Sequence, residues 1–535
     1  MDKIIRYHQT SKHTYHSFAP GPGYLDWESQ PDPFRRYEGT ETVPLKKIPA
    51  TERPCFSEAL RPSGVAVAPM SFENLSQLFF DSLAISAWKS FQGSKWALRV
   101  NPSSGNLHPT EGYLISGPIK GLSQTPFISH YSPFSHSLEV RATFSIELWE
   151  KLVEVFPHET IFIGLSSIYW REAWKYGLRA FRYCHHDLGH ALAAFNIAGA
   201  GLGWQAVLID QLGHDDLEII LGLEKNSGEE VEVPDCLTAF SPHKFSEDLC
   251  FEKQSFLEIF NNLNWIGTPN ILSKAHVTWP GIDEVSQASR KPTNENTPSL
   301  NCVTGSLSKL LDDDLFPLRK ALHQRRSAVA MDGKTSIKRE IFYQFLIKTI
   351  PDACPLPFQT LSWEPTVNLG LFVHRVDNLP SGLYILVRNE NHLPDLKEKF
   401  KQDFLWEKPG TCPRELNLFL LELGDFRRTS SSVSCGQDIA SHGCFSLGML
   451  SAFEKPLKEY GSWFYPRLYW ECGAIGQVLY LQAEVIGIRS TGIGCFFDDP
   501  VHEVFGILDM SYQSLYHFTV GGPVEDTRLT TLPAY

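Results

Sequence analysis

Three short segments of this chain carry residue types that can bind a polar ligand. In Arg99-Val100-Asn101-Pro102-Ser103-Ser104-Gly105-Asn106, serine hydroxyls and unpaired amides in a Pro/Gly loop make a neutral hydrogen-bonding cradle for a phosphate or a polar heterocycle. The same composition also suits an ordinary turn. Arg325-Arg326-Ser327 offers guanidinium forks that grip phosphate oxygens in pairs, with a hydroxyl beside them; adjacent arginines at a polar helix end equally make a solvated face. In Gly487-Ile488-Arg489-Ser490-Thr491-Gly492-Ile493-Gly494-Cys495 the glycines let backbone approach a flat ligand and aim amides at it, with close packing as the competing reading. A fourth pattern, His186-Asp187-Leu188-Gly189-His190, sets two imidazoles one helical turn apart. Its acid is Asp, not the Glu of metalloprotease helices, and no third ligand is identifiable, so no metal is expected.

The elements that position these segments repeat. A shift of 284 residues lays Tyr176-Gly177 on Tyr460-Gly461, Gly189 on Gly473, Gly203 on Gly487, Asp215 on Asp499 and Gly222 on Gly506. Such a repeat is too long for a solenoid unit and points to a duplicated domain, hence a covalent pseudo-dimer whose shared site can become asymmetric. Leu188, Leu192 and Phe195 follow helical spacing, predicting a helix from Asp187 to Gly199 ended by the Gly-rich run, then a strand at Val207 to Ile209. The second copy predicts a helix from about Gly473 to Val485 and a turn at Gly492-Ile493-Gly494 before Phe496-Phe497. Residues 1–90, rich in Pro, Tyr, His and Trp, read as an arm with helices. Residues 91–280 form the first domain, 281–310 a polar linker and 311–535 the second domain.

Bulk properties narrow the class. A net charge of -13 over 535 residues disfavours a broad nucleic-acid surface. The apolar run Leu418 to Leu421 is far too short to cross a membrane, and the amino terminus has no signal-peptide core, so a cytoplasmic protein is expected. The 11 cysteines never occur as C-x-x-C, which fits reduced thiols. No G-x-S-x-G, G-x-x-x-x-G-K or G-x-G-x-x-G run supports a serine hydrolase, a P-loop or a dinucleotide fold.

Taken together, the three segments resemble the nitroreductase superfamily of FMN-dependent oxidoreductases. Two further stretches are similar to its SagB-type, azoline dehydrogenase-like branch: Trp170-Arg171-x-x-Trp174-Lys175-Tyr176-Gly177-x-Arg179-Ala180-x-Arg182-Tyr183 and Asn106-Leu107-His108-Pro109-Thr110-Glu111-Gly112-Tyr113. The resemblance implies an α+β fold of two tandem nitroreductase-like domains, each a mainly antiparallel sheet flanked by helices. They would form an intramolecular pseudo-dimer that needs no further oligomer and binds FMN at the domain interface.

The motifs are complementary between the copies. Copy one keeps PSSGN but has only Phe34-Arg35-Arg36-Tyr37 in place of RRS; copy two keeps RRS and the glycine turn but has Pro355-Leu356-Pro357-Phe358 where PSS is expected. One intact site per chain follows. By the resemblance, Arg325 and Ser327 hold the FMN phosphate with Arg528 as a second cation, and Pro102, Ser103, Ser104 and Asn106 contact the flavin. The amides of Ile493 and Gly494 face its N5 and O4 edge. Lys175 and Tyr176 form an acid/base pair over the ring, which copy two replaces by Glu459-Tyr460. The implied activity is hydride transfer at flavin N5 to or from a small molecule or modified peptide. The alternatives are a nitro or quinone reductase with NAD(P)H as electron donor, and a degenerate flavin-binding or scaffold protein without turnover.

Overall fold

The computed structural model describes residues 1–224, 228–246, 249, 251–293, 311–312 and 314–535. Two antiparallel sheets dominate it. The first runs, edge to edge, Glu41–Pro44, Ser137–Thr143, Phe127–Ser132, Thr110–Ser116, Ile161–Ile168, Glu232–Ser241 and Gln205–Leu208. The second runs Leu418–Leu423, Gly382–Leu386, Val367–Val373, Phe445–Ala452, Tyr512–Gly521 and Arg489–Ile493. Strand for strand, the second sheet repeats the last six of the first, so the duplication extends to topology. The first sheet's extra edge strand comes from residues expected to be an arm.

Between the sheets two helices of equal length, Ala180–Ala200 and Tyr465–Val485, pack against each other. They cross at the glycines that the 284-residue shift equates. A methyl group on Gly189 would lie 2.2 Å from the Trp470 carbonyl oxygen, and one on Gly473 would lie 2.2 Å from that of His186. Only glycine lets the backbones approach this closely. The helices begin seven and eight residues before their sequence-predicted starts. All of Ala180–Ala200 is buried, and so is Tyr465–Val485 except its last residue. A helix covered on every side has no apolar stripe for periodicity to find.

Buried charges tie the copies together. Arg179 and Arg182 donate to Asp498 at 2.9 and 2.7 Å. Against the effect of burial, the two guanidiniums hold its carboxyl far below the usual range. Losing one partner of such a group strands buried charge. The carboxy-terminal strand Thr530–Leu532 returns to the end of the amino-terminal arm and pairs with Ile85–Phe91, itself paired with Ser94–Arg99 of copy one.

One sequence expectation is corrected. Gly492 and Ile493 end a strand and do not form a turn; the glycine is required because a methyl group there would meet the Tyr516 hydroxyl of the next strand at 2.0 Å. The linker's first residues form the helix Pro280–Ala288, packed on the amino-terminal helix Asp2–Thr10, while residues 294–310 of that linker lie outside the described residues. Among the described residues no helix is long and apolar enough to cross a membrane.

Candidate active site

The PSSGN loop leaves the strand Ser94–Arg99 and turns through left-handed backbone at Gly105 (φ +61°) and Asn106 (φ +57°). Two buried acids hold it from behind. Asp187, on the first central helix, accepts from the Ser104 amide at 3.2 Å and the Ser104 hydroxyl at 3.3 Å. Glu172, on the preceding helix Tyr169–Tyr176, accepts from the Ser103 hydroxyl at 3.4 Å. The two stretches that carry the SagB-type resemblance also meet here: Arg171 donates to the His108 carbonyl at 2.7 Å and pairs with Glu111, whose other oxygen meets His130 at 2.9 Å.

The RRS segment follows the helix Leu318–Gln324 in copy two and reaches across to copy one. Arg325 donates to the carbonyls of Arg99 and Val100 at 3.0 and 3.2 Å, its guanidinium 4.9 Å from the Tyr480 ring centre. Ser327 pairs in parallel with Ser490, and its hydroxyl meets the Tyr480 hydroxyl at 2.8 Å. The Gly492 amide donates to that same phenol at 3.0 Å. The three segments thus close on one cleft of about 620 Å³.

Of the residues expected from sequence, Pro102, Ser103, Ser104, Asn106, Arg325, Ser327 and Gly494 line this cleft. Ile493 is buried at 3% exposure and is absent from the lining. Arg528 also stands outside it, its side chain 73% exposed and paired with Asp526 at 2.8 Å. The cations that do line the cleft beside Arg325 are Lys89, Arg99, Arg326 and Arg489, the last paired with Glu484. Burial pulls the guanidiniums of Arg99, Arg325 and Arg326 down to about 10. Their hydrogen bonds go to carbonyl oxygens and one hydroxyl, and among the described residues none of the three is paired with a carboxylate. Clustered buried cations without counter-charge are costly, and a bound polyanion relieves that cost. Asn101 Oδ1, His108 Nδ1 and Ser490 Oγ, on cleft or adjoining residues, are buried without partners. The donor set therefore fits a phosphorylated, hydrogen-bonding heterocycle such as FMN.

Lys175 and Tyr176 are likewise absent from the cleft lining; they end their helix against the PSSGN loop. A methyl group on Gly105 would lie 2.7 Å from the Tyr176 hydroxyl and 3.0 Å from Lys175 Nζ. Tyr176 meets Tyr183 edge to face at 4.8 Å, and the Tyr183 ring covers Gly494. Burial raises the Tyr176 phenol well above its usual value, so it stays a donor.

Sequence reasoning missed both acids, Asp187 standing only as a bystander of the His-x-x-x-His pattern. Burial, then the charge of Asp187, pushes Glu172 well up, and burial pushes Asp187 up to about 7. The sign of the linkage follows. An unfolded Asp releases its proton near about 3.9, whereas folded Asp187 keeps its own to about 7. Between those values the folded state holds the extra proton, and stability falls as pH rises, by about 1.4 kcal/mol per pH unit for this group. The gap in unfolding free energy between flavin-free wild-type and Asp187→Asn chains, read from denaturant titrations at each pH, should change by that slope between about pH 4.5 and 6.5. Equal slopes for both proteins would assign the raised proton affinity elsewhere.

His186 and His190 are engaged in packing between the copies. His186 Nε2 donates to the Leu515 carbonyl at 2.9 Å, and the ring stacks on Tyr516 at 4.1 Å. His190 lies between Gln477 and the Tyr516 hydroxyl, each at 3.3 Å.

The pseudo-symmetric counterpart of the cleft is filled. Leu208 and Asp210, equated with Gly492 and Gly494 by the 284-residue shift, line a space of only about 20 Å³. Arg467 occupies it, paired with Asp210 and lying 5.2, 4.5 and 5.7 Å from the rings of Trp363, Trp463 and Trp470. Phe358, in the segment that replaces PSS, is buried beneath Arg388, and Arg388 neutralises Glu471, the counterpart of Asp187. Arg35 is held by copy one's own Glu232 at 3.6 Å and the Asn270 carbonyl at 2.5 Å.

A scan of protein families and a search of curated proteins found no match to this chain. Among solved structures, a candidate nitroreductase from Anabaena variabilis aligns over 98% of this chain and 99% of its own, at 21% identity and a TM-score of 0.67. A candidate nitroreductase from Ralstonia eutropha aligns over 44% of this chain and 97% of its own, at 13% identity and a TM-score of 0.29. A chain of the Escherichia coli microcin synthetase McbBCD complex aligns over 38% and 78%, at 16% identity and a TM-score of 0.27. The first likeness spans both copies and establishes the fold: α+β, two tandem nitroreductase-like domains.

Proposed function

We propose that the chain is an FMN-dependent oxidoreductase of the SagB-type, azoline dehydrogenase-like kind, acting on a small molecule or modified peptide. The observation that carries this reading is one cleft with unpaired arginines on one wall and the Lys175-Tyr176 pair against the loop of the other. Arg325 and Ser327, aided by Arg326 in place of Arg528, would hold the phosphate. Pro102, Ser103, Ser104 and Asn106 would contact the ring, with the backbone at Ile493 and Gly494 at its edge. When bound, FMN supplies a two-electron acceptor and donor at N5.

Lys175 Nζ is the base that takes the substrate proton, and the protonated Tyr176 phenol orients the substrate by donation. Glu172 and Asp187, sharing the loop's hydroxyls, hold an exchangeable proton behind it. Tyr183 over Gly494 and the loop itself limit water at the reacting face.

The test is anaerobic mixing of the flavin-loaded chain with a thiazoline-containing peptide. Bleaching of the flavin, with a peptide product lighter by two hydrogens, is expected. Bleaching by NADPH but not by the peptide would place the chain among nitro or quinone reductases. Purification without flavin, and failure to take it up, would leave a scaffold.

A further inference from the structure

One residue beyond the cleft-lining Gly494, the Sγ atom of Cys495 lies 2.7 Å from that of Cys435. We propose that Cys435 and Cys495 form a second redox site, a dithiol that reduces low-molecular-weight disulfides and closes into an intramolecular disulfide. The proposal stands whether or not a flavin binds.

The pair is built rather than incidental. Cys435 sits in left-handed backbone (φ +55°), followed by Gly436 (φ +71°), in the turn between the helices Arg427–Val433 and Ile439–His442. Two hydrogen bonds clamp that turn to the segment around Cys495. The Phe497 amide donates to the Val433 carbonyl at 2.8 Å, and Gln437 Nε2 donates to the Cys495 carbonyl at 3.0 Å. The sulfurs are therefore set side by side by backbone on both flanks. Both residues are half-exposed, whereas among the other described cysteines all but Cys412 are buried. Buried thiols pack as small apolar groups; accessible ones beside cations react.

The pair is also polarised. His13 Nδ1 accepts from the Ala19 amide at 2.8 Å, which leaves the ring proton on Nε2. The hydrogen bond shared with Cys435, then His13 and Arg179, favours charge on Cys495 and, against the effect of burial, pulls its thiol down, while Cys435 is raised. Cys495 is the attacking thiolate and Cys435 the resolving thiol.

The Cys495 thiolate attacks a disulfide R–S–S–R, forming Cys495–S–S–R and expelling RS⁻. Cys435 loses its proton to that thiolate and attacks Cys495 Sγ, expelling the second RS⁻, which is protonated from solvent. Two thiols are oxidised to one disulfide, and one disulfide is reduced to two thiols.

Oxidised glutathione is the probe, applied to the reduced, desalted full-length chain, with free thiols then alkylated and peptides mapped by mass spectrometry. In the wild-type chain a Cys435–Cys495 disulfide should form without a lasting adduct. Cys435→Ser should instead trap glutathione on Cys495, and His13→Ala in that background should slow trapping by roughly tenfold. Cys495→Ser should leave Cys435 at least roughly tenfold less modified than Cys495 is in Cys435→Ser. A wild-type chain whose pair stays reduced would overturn the proposal without recourse to any variant. Adduct formation on Cys495 no faster than on half-exposed Cys412 would do the same.

Discussion

Lys175→Ala should lower turnover on a working substrate by about two to four orders of magnitude while leaving the visible spectrum of the bound flavin unchanged. The expectation follows from where the side chain ends. Nζ reaches the PSSGN loop at Gly105, beside the Tyr176 hydroxyl, and contributes nothing to the arginine wall. Under the proposed function, a group at that place would act on the substrate's proton and not on the phosphate. Tyr176→Phe should show a smaller loss of the same kind, since only the hydroxyl goes and the contact of its ring with Tyr183 remains. Loss of flavin from Lys175→Ala would make this lysine a binding residue, and unaltered turnover would make it a bystander.

Arg325→Ala should weaken FMN binding by about 1.5–3 kcal/mol, roughly a 10- to 150-fold rise in Kd by flavin fluorescence titration. Arg35→Ala should weaken it less, because Arg35 is already engaged with Glu232 and the Asn270 carbonyl in copy one. Arg325 also donates to two carbonyls across the domain interface, so Arg325→Lys separates charge from scaffolding: recovery of most of the affinity would assign the loss to the phosphate contact. Equal losses for Arg325→Ala and Arg35→Ala would move the phosphate to the arm.

The division of motifs between the copies was legible because each is a short local run, and folding brings those runs to one cleft. The pairing of Gly189 with Gly473 was visible as a repeat, and only the crossing of the buried helices shows why both must be glycine. Other parts depend on three dimensions. Glu172 and Asp187 lie on successive helices broken at Gly177 (φ +55°) and meet the same loop only after that break. Nothing in their spacing marks them as partners. Arg528 was plausible as a cation near the carboxy terminus, yet Asp526 two residues earlier takes its charge. Arg99, Arg326 and Arg489 lie within the very segments that carried the resemblance, but which arginines face a cleft is set by the parallel pairing of Ser327 with Ser490.

The central claim is that duplication left one working flavin site per chain, the other being filled by Arg467 and its tryptophans. Quantifying FMN released by heat against protein concentration, after saturation with FMN and removal of excess, tests it most directly. The account predicts one flavin per chain; a ratio near two would contradict it.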